Sequence, residues 1–133
     1  MKPAAVVDAS VMADVLVEHG DRVDAVREAL AGFGSWIVPH HFDLECANTW
    51  RGLVSRRRLT REDMTLALAE LAVLPLRRRA TFRFHERIDE LLENVTPYDA
   101  AYVVLAEAYQ LPLLTTDGRL TRAPGPQCEF IVC

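Results

Sequence analysis

The chain has 133 residues, half of them hydrophobic and 26% charged, with a formal net charge of −4. That composition excludes a disordered or fibrous chain and leaves room for one compact domain, spanning 1–133. No apolar run approaches the roughly 20 residues needed to cross a bilayer, and no extended apolar segment precedes the first acid, Asp8, so the reading is a cytoplasmic protein without signal peptide or membrane contact.

Ala4-Ala5-Val6-Val7 is a short continuous apolar run ending in Asp8, the pattern of a strand buried on both faces. Ser10 stands as N-cap of a helix through Val11, Met12, Val15 and Leu16 that ends at Gly20. A second helix runs from about Asp21 to Leu30, and Trp36-Ile37-Val38 is a second buried strand stopped by Pro39. From His41 to about Arg57 the pattern is helical, with Phe42, Cys46, Trp50, Leu53 and Val54 on one stripe. Thr60 caps the next helix, whose apolar residues are Leu66, Leu68, Leu71 and Ala72. Leu74-Pro75-Leu76 reads as a short edge strand, and Arg79 to Leu92 as helix. Thr96-Pro97 opens another helix with Asp99 at its third position and Tyr98, Ala101, Tyr102, Leu105 and Tyr109 as its apolar residues. Leu113-Leu114-Thr115 is a strand ending at Thr116-Asp117-Gly118, and Phe130-Ile131-Val132 is a terminal strand. Strands alternating with helices predict an α/β fold, a Rossmann-like three-layer sandwich around a mostly parallel sheet.

Three cysteines, Cys46, Cys128 and Cys133, lack C-x-x-C spacing, which argues against a disulfide framework or a zinc knuckle and makes Cys46 a small core residue. The net charge does not mark a nucleic-acid binder. Two arginine clusters, Arg56, Arg57, Arg58 and Arg61, then Arg77, Arg78, Arg79 and Arg83, read either as solvated faces or as contacts for phosphate or an acidic partner.

In an open parallel sheet, chemistry collects beyond the carboxyl ends of the strands. Asp8 and Asp117 follow strands, Glu45 lies early in the helix after the second strand, and Asp99 opens a helix leading back into a strand, so all four point to one edge. Singly, Asp99 is also a good helix-dipole partner, Asp117-Gly118 ordinary turn chemistry, and Asp8 a turn residue. Glu45, beside the Phe42, Cys46 and Trp50 stripe, is harder to explain as a surface acid. Clustered carboxylates repel unless protonated or bound to a cation, and a hard ion with oxygen ligands, Mg²⁺ or Mn²⁺, suits them together with a phosphodiester. There is no Gly-rich phosphate loop, no G-x-S-x-G and no H-E-x-x-H.

The segments VVDAS, DLECANTW, TPYDAAY and LLTTDGRL, in that order, resemble the PIN domain, most closely the toxin ribonucleases of VapBC toxin–antitoxin modules. The resemblance covers essentially the whole chain. It implies an RNA endonuclease dependent on Mg²⁺ or Mn²⁺ that leaves a 3′-hydroxyl and a 5′-phosphate, a homodimer, and inhibition by a VapB-type antitoxin whose helical tail lies in an apolar groove. It makes Asp8 and Asp99 the principal metal ligands, with Glu45 and Asp117 completing the site and Ser10, Asn48 and Thr116 as accessory polar residues. Gly118, Arg119 and Leu120 stand where some relatives carry a further acid, which leaves one or two metal ions open. Trp50 and the Leu53-Val54 stripe are either core or part of the antitoxin groove, and His19, His40, His41 and His85 are given no role. The alternatives are a non-toxin PIN nuclease acting on RNA processing or structured DNA, and a non-catalytic protein-binding module of the same fold.

Overall fold

Strands form where the apolar runs predict them: β1 is Ala4–Val7, β2 Ser35–Pro39, β4 Leu113–Thr115 and β5 Phe130–Val132, in a computed structural model that describes residues 1–133. The remaining strand, β3 Leu76–Arg79, departs from expectation. The predicted segment around Pro75 is displaced into the arginine run, because a strand bonded on one side only has no need of an apolar sequence. All pairings are parallel and the order is β3-β2-β1-β4-β5, so β1 lies at the centre with β2 and β4 beside it.

Seven α-helices connect the strands: α1 Ala9–Val17, α2 Asp21–Ala31, α3 Phe42–Ser55, α4 Arg61–Val73, α5 His85–Leu91, α6 Pro97–Tyr109 and α7 Gly118–Arg122. A single 3₁₀ turn, Phe82–Phe84, precedes α5 where one longer helix was expected, and α7 occupies what read as a plain turn. The helices α1, α3 and α4 pack on one another, while α6 crosses β1, β2 and β4 with α5 against it. Right-handed crossovers in a parallel sheet require this division of helices between the two faces.

Two helix faces differ from the sequence reading. In α4 the buried residues are Met64, Ala67 and Leu71, whereas Leu66 and Leu68 are in solvent. In α6 every residue from Ala100 to Ala106 is buried, so the helix is apolar all round at its middle, and Tyr98 and Tyr109 are the exposed ones. Trp50 is core: fully buried, it donates its indole N–H to Ala13 O at 3.0 Å, tying α3 to α1. Cys46 is buried beside it, and burial pushes its thiol up to about 12, so it stays a protonated packing group.

The arginine clusters separate. Arg56, Arg57, Arg58 and Arg61 are exposed at the turn between α3 and α4. Because α3 starts at the carboxyl edge of β2, its far end lies about 16 Å from Glu45 at 1.5 Å per residue. In the second cluster Arg78 is committed to Asp43, with Nε–Oδ2 2.7 Å and a second guanidinium bond of 2.8 Å to Oδ1. Arg83 lies over the ring of Phe84, 5.0 Å from its centre. None of these eight arginines lines the concavities beside the four acids described below.

Candidate active site

The order of the strands reverses direction between β1 and β4, because β1 leads to β2 and β3 on one side and β4 returns on the other. At such a switch point the chains leave in opposite directions and open a crevice at the carboxyl edge. Asp8 stands at the end of β1 over this crevice. Its N–H continues the ladder to Leu114 O at 2.9 Å, and its carbonyl starts α1, but its carboxylate caps nothing. The side chain is instead held sideways, with Oδ2 accepting from Thr115 Oγ1 at 2.7 Å and from Ser10 Oγ at 3.0 Å.

Ser10 is therefore not the helix cap expected for it; Asp8 occupies the cap position and Ser10 lies inside the first turn. Its hydroxyl donates to Asp8 and accepts from the Thr116 backbone N–H at 3.2 Å, which joins α1 to the end of β4. Thr116 contributes that N–H to the network. The hydroxyl that reaches the buried acid belongs to Thr115, which also accepts from the Asp117 N–H at 3.0 Å. Removing this donor is expected to strand a buried carboxylate. Thr115→Val should lose about 1.5–3 kcal/mol in urea unfolding at neutral pH, the usual worth of a hydrogen bond to a charged group. Thr115→Ser, which keeps the hydroxyl, should recover most of it.

Asp99 sits in the first turn of α6, which forms as the sequence predicts, with Thr96 Oγ1 accepting the Asp99 N–H at 3.1 Å and Pro97 in the first turn. Asp117 caps α7, with Oδ1 accepting from the N–H groups of Arg119 at 2.9 Å and Leu120 at 3.4 Å. Glu45 lies one turn into α3, and its Oε1 accepts from Tyr102 Oη at 2.8 Å. His41 Nε2 is 2.7 Å from the same oxygen but off the line of a hydrogen bond, and this buried nitrogen has no bonded partner. The imidazole is wedged edge-on between Tyr98 and Tyr102, with ring centres 5.6 and 5.4 Å away.

The electrostatics show that the four acids share one field. Burial raises Asp8 above the ordinary value of 3.8, its two hydroxyl partners pull it back, and the charge of Glu45 adds to the rise. Asp99 is pushed up to about 6, first by burial and then by the charges of Asp8, Asp117 and Glu45. Tyr102 is raised strongly, by burial first and then by Glu45, so it stays a donor. As the side chains stand, no three of the His, Cys, Asp and Glu groups are arranged to grip an ion. The fit to a divalent cation lies elsewhere. The donors are carboxylate oxygens, their charges oppose one another, and neither hydroxyl takes Asp8 Oδ1 and neither N–H takes Asp117 Oδ2.

Two concavities flank the acids. One, of about 290 Å³, is lined by Asp99 and Asp117 with Thr96 and Arg119; the other, of about 430 Å³, is lined by Glu45 with His41, Leu44, Asn48 and Tyr98. Asn48 is exposed and makes no bond to the acids. Sequence reasoning missed Thr115, Tyr102, His41 and Arg119. A signal existed for two of them: a hydroxyl at the last position of a buried strand needs a partner, and Tyr102 lies three residues from Asp99 on the same helix face.

Residues 5–126 match the PIN domain family. The chain is 38% identical to Ribonuclease VapC1 of Mycobacterium tuberculosis over 126 residues, 94% of each protein. Its fold is similar to that of Mycobacterium tuberculosis VapC20, described as a sarcin-ricin loop cleaving toxin, with a TM-score of 0.65, 20% identity and 89% and 93% of the two chains covered. It is also similar to VapBC2 of Rickettsia felis, solved bound to a DNA fragment from its promoter, with a TM-score of 0.63, 16% identity and 96% and 98% covered.

Proposed function

From the premise that this chain belongs to the PIN domain family, among the VapC-type ribonuclease toxins, we propose that it is an endoribonuclease dependent on Mg²⁺ or Mn²⁺, whose site is Asp8, Glu45, Asp99 and Asp117. The observation that supports the reading best is geometric: Asp8 at the end of β1, Asp99 and Asp117 lining one concavity, and Glu45 held by Tyr102 lie at the β1/β4 switch point, close enough that the charges of the other three add to the rise of Asp99. A surplus of negative charge in a half-buried crevice calls for a cation, and a phosphodiester reaches such a crevice only with one.

Asp8 and Asp99 are the residues that would hold the ion. Bound there, it supplies charge neutralisation at the phosphate and a lowered pKa for water. The other residues act on what surrounds it. Thr115 and Ser10 fix the orientation of Asp8, and Tyr102 does the same for Glu45. Asp117 or Glu45 accepts the proton of a water whose oxygen attacks phosphorus in line with the bond to O3′; that bond breaks, and O3′ takes a proton from solvent. Arg119, beside Asp99 and Asp117, is the cation placed to hold a neighbouring phosphate.

The same reading makes the functional unit one domain over 1–133, acting in the cytoplasm. It is held silent by a VapB-type antitoxin, and the VapBC2 resemblance supports that partner. Leu66 and Val73, seven residues apart on α4 and left in solvent, offer a face for a second copy in a homodimer. No helix is long and apolar enough to cross a membrane.

The test is direct. Protein stripped of metal, incubated with total cellular RNA, should generate new 5′-phosphate ends at discrete positions when Mg²⁺ is added and none in EDTA. Equal cleavage in both conditions would remove the metal from the reading.

A further inference from the structure

We propose that the concavity beside Glu45 is a subsite for one unpaired nucleobase next to the bond being cut, with the Tyr98 ring as its stacking surface and the Asn48 amide at its edge. The proposal rests on the ribonuclease reading above and adds the place and the side chains that would receive a base beside the cut.

Tyr98 stands one residue before Asp99, yet it is 61% exposed in a helix whose next turns are wholly buried. Leu44, one residue before Glu45, is 74% exposed. Both line the same concavity, so they present one shared apolar surface beside two site acids. His41 meets the Tyr98 ring edge-on at an interplanar angle of 67°, which limits the ring's freedom to swing away. Asn48 lies four residues beyond Leu44 and three beyond Glu45, so the three share one helix face. Its amide carries both donors and an acceptor, the equipment needed at a base edge.

The space of about 430 Å³ falls within the range of small-molecule sites, roughly 300–1,000 Å³. Its chemistry selects among the parts of a nucleotide. The only carboxylate among its lining residues is Glu45, and no Lys or Arg lines it, so a phosphate would meet a negative charge there and no fixed positive one. The arginine of the crevice lies on the other side of the acids, in the smaller concavity. A strand crossing the acids would therefore set a phosphate toward Arg119 and a base toward Tyr98. A base within a duplex has no free face for an aromatic ring, so the nucleotide at this position must be unpaired.

The experiment uses short single-stranded oligoribonucleotides with Mg²⁺, in intact form and with an abasic residue moved through each position near the cut. Tyr98→Ala is expected to lower kcat/KM on intact RNA roughly tenfold or more, mainly through KM, as loss of one base–aromatic stack does. Tyr98→Phe should retain the wild-type value, since the ring and not the hydroxyl acts. One abasic substrate should slow the wild type by the same factor, and Tyr98→Ala should lose nothing further on it. Losses that multiply, or a Tyr98→Ala enzyme equal to wild type, overturn the proposal. So does a variant that cuts RNA normally but escapes an inhibitory peptide partner, because the surface then belongs to a protein. If the wild type cuts no oligonucleotide, the ribonuclease reading fails by itself. Fluorescence anisotropy with the same uncut strands then decides the subsite: weaker binding by Tyr98→Ala supports it, and equal binding by both proteins ends it.

Discussion

Asp8→Asn is expected to slow RNA cleavage roughly a hundredfold to a thousandfold, the scale of losing one preorganised electrostatic group, while leaving the fold intact. The carboxylate is 5% exposed and sits where β1, β4 and α1 meet. An asparagine has the same shape, and its Oδ1 can accept from both Thr115 and Ser10. What it lacks is the charge and the second acceptor oxygen, which are what a cation and a phosphodiester require. The measurement is single-turnover cleavage of a defined oligoribonucleotide, paired with thermal melting of the same preparations. Asp99→Asn should behave alike. Unchanged cleavage in both variants, with contaminating nuclease excluded by the purification, would defeat the mechanism.

Without metal, Asp99→Asn should melt higher than the wild type at pH 7.5 and approach it near pH 3. The sign follows from the raised pKa. Asp99 is near 3.8 in the unfolded chain and about 6 in the folded one, so the folded state resists losing its proton. Below about pH 3 the residue is protonated in both states and costs nothing. Stability then falls as pH rises through 4 to 6, and above 6 the charged side chain is a standing penalty. The variant does not carry it. Mg²⁺ should close most of that gap, because binding to the folded wild type adds about 2.7 kcal/mol at a hundredfold excess over Kd, on the order of 10 °C in melting temperature. A wild type that gains nothing from Mg²⁺, at concentrations where it cleaves, would show that the acids do not bind the ion in the absence of RNA.

The residues that could be read from sequence are those whose role is local. Asp8 and Asp117 follow apolar strands, and Asp99 belongs to a Thr-Pro-x-Asp helix start, so their shared edge follows from alternation of strand and helix alone. Thr115 could not be valued this way, since its importance depends on a carboxylate 107 residues earlier that β-pairing brings alongside. Ser10 was misplaced for a related reason. A serine after a strand is a good cap in isolation, but here the extended backbone of Asp8 already begins the helix, and the serine hydroxyl has an acid to serve. The α6 stripe was legible only in part: Ala101, Tyr102 and Leu105 are buried as expected, but from Ala100 to Ala106 the helix is pressed between three strands and another helix, which erases its period there. The edge strand expected at Leu74-Pro75-Leu76 is present but begins at Leu76 and runs into the arginines, whose polarity hid its extent.

That edge strand has a consequence for the behaviour of the protein at high concentration. One side of β3 pairs with β2, and the other presents backbone N–H and C=O groups to no strand. Such a border is a template on which an extended segment of any chain can lie down, the first step toward fibrillar growth. Arg78 is neutralised by Asp43, but exposed Arg77 and half-exposed Arg79 leave fixed positive charge on this strand. The run of arginines thus acts as a guard against stacking of like chains.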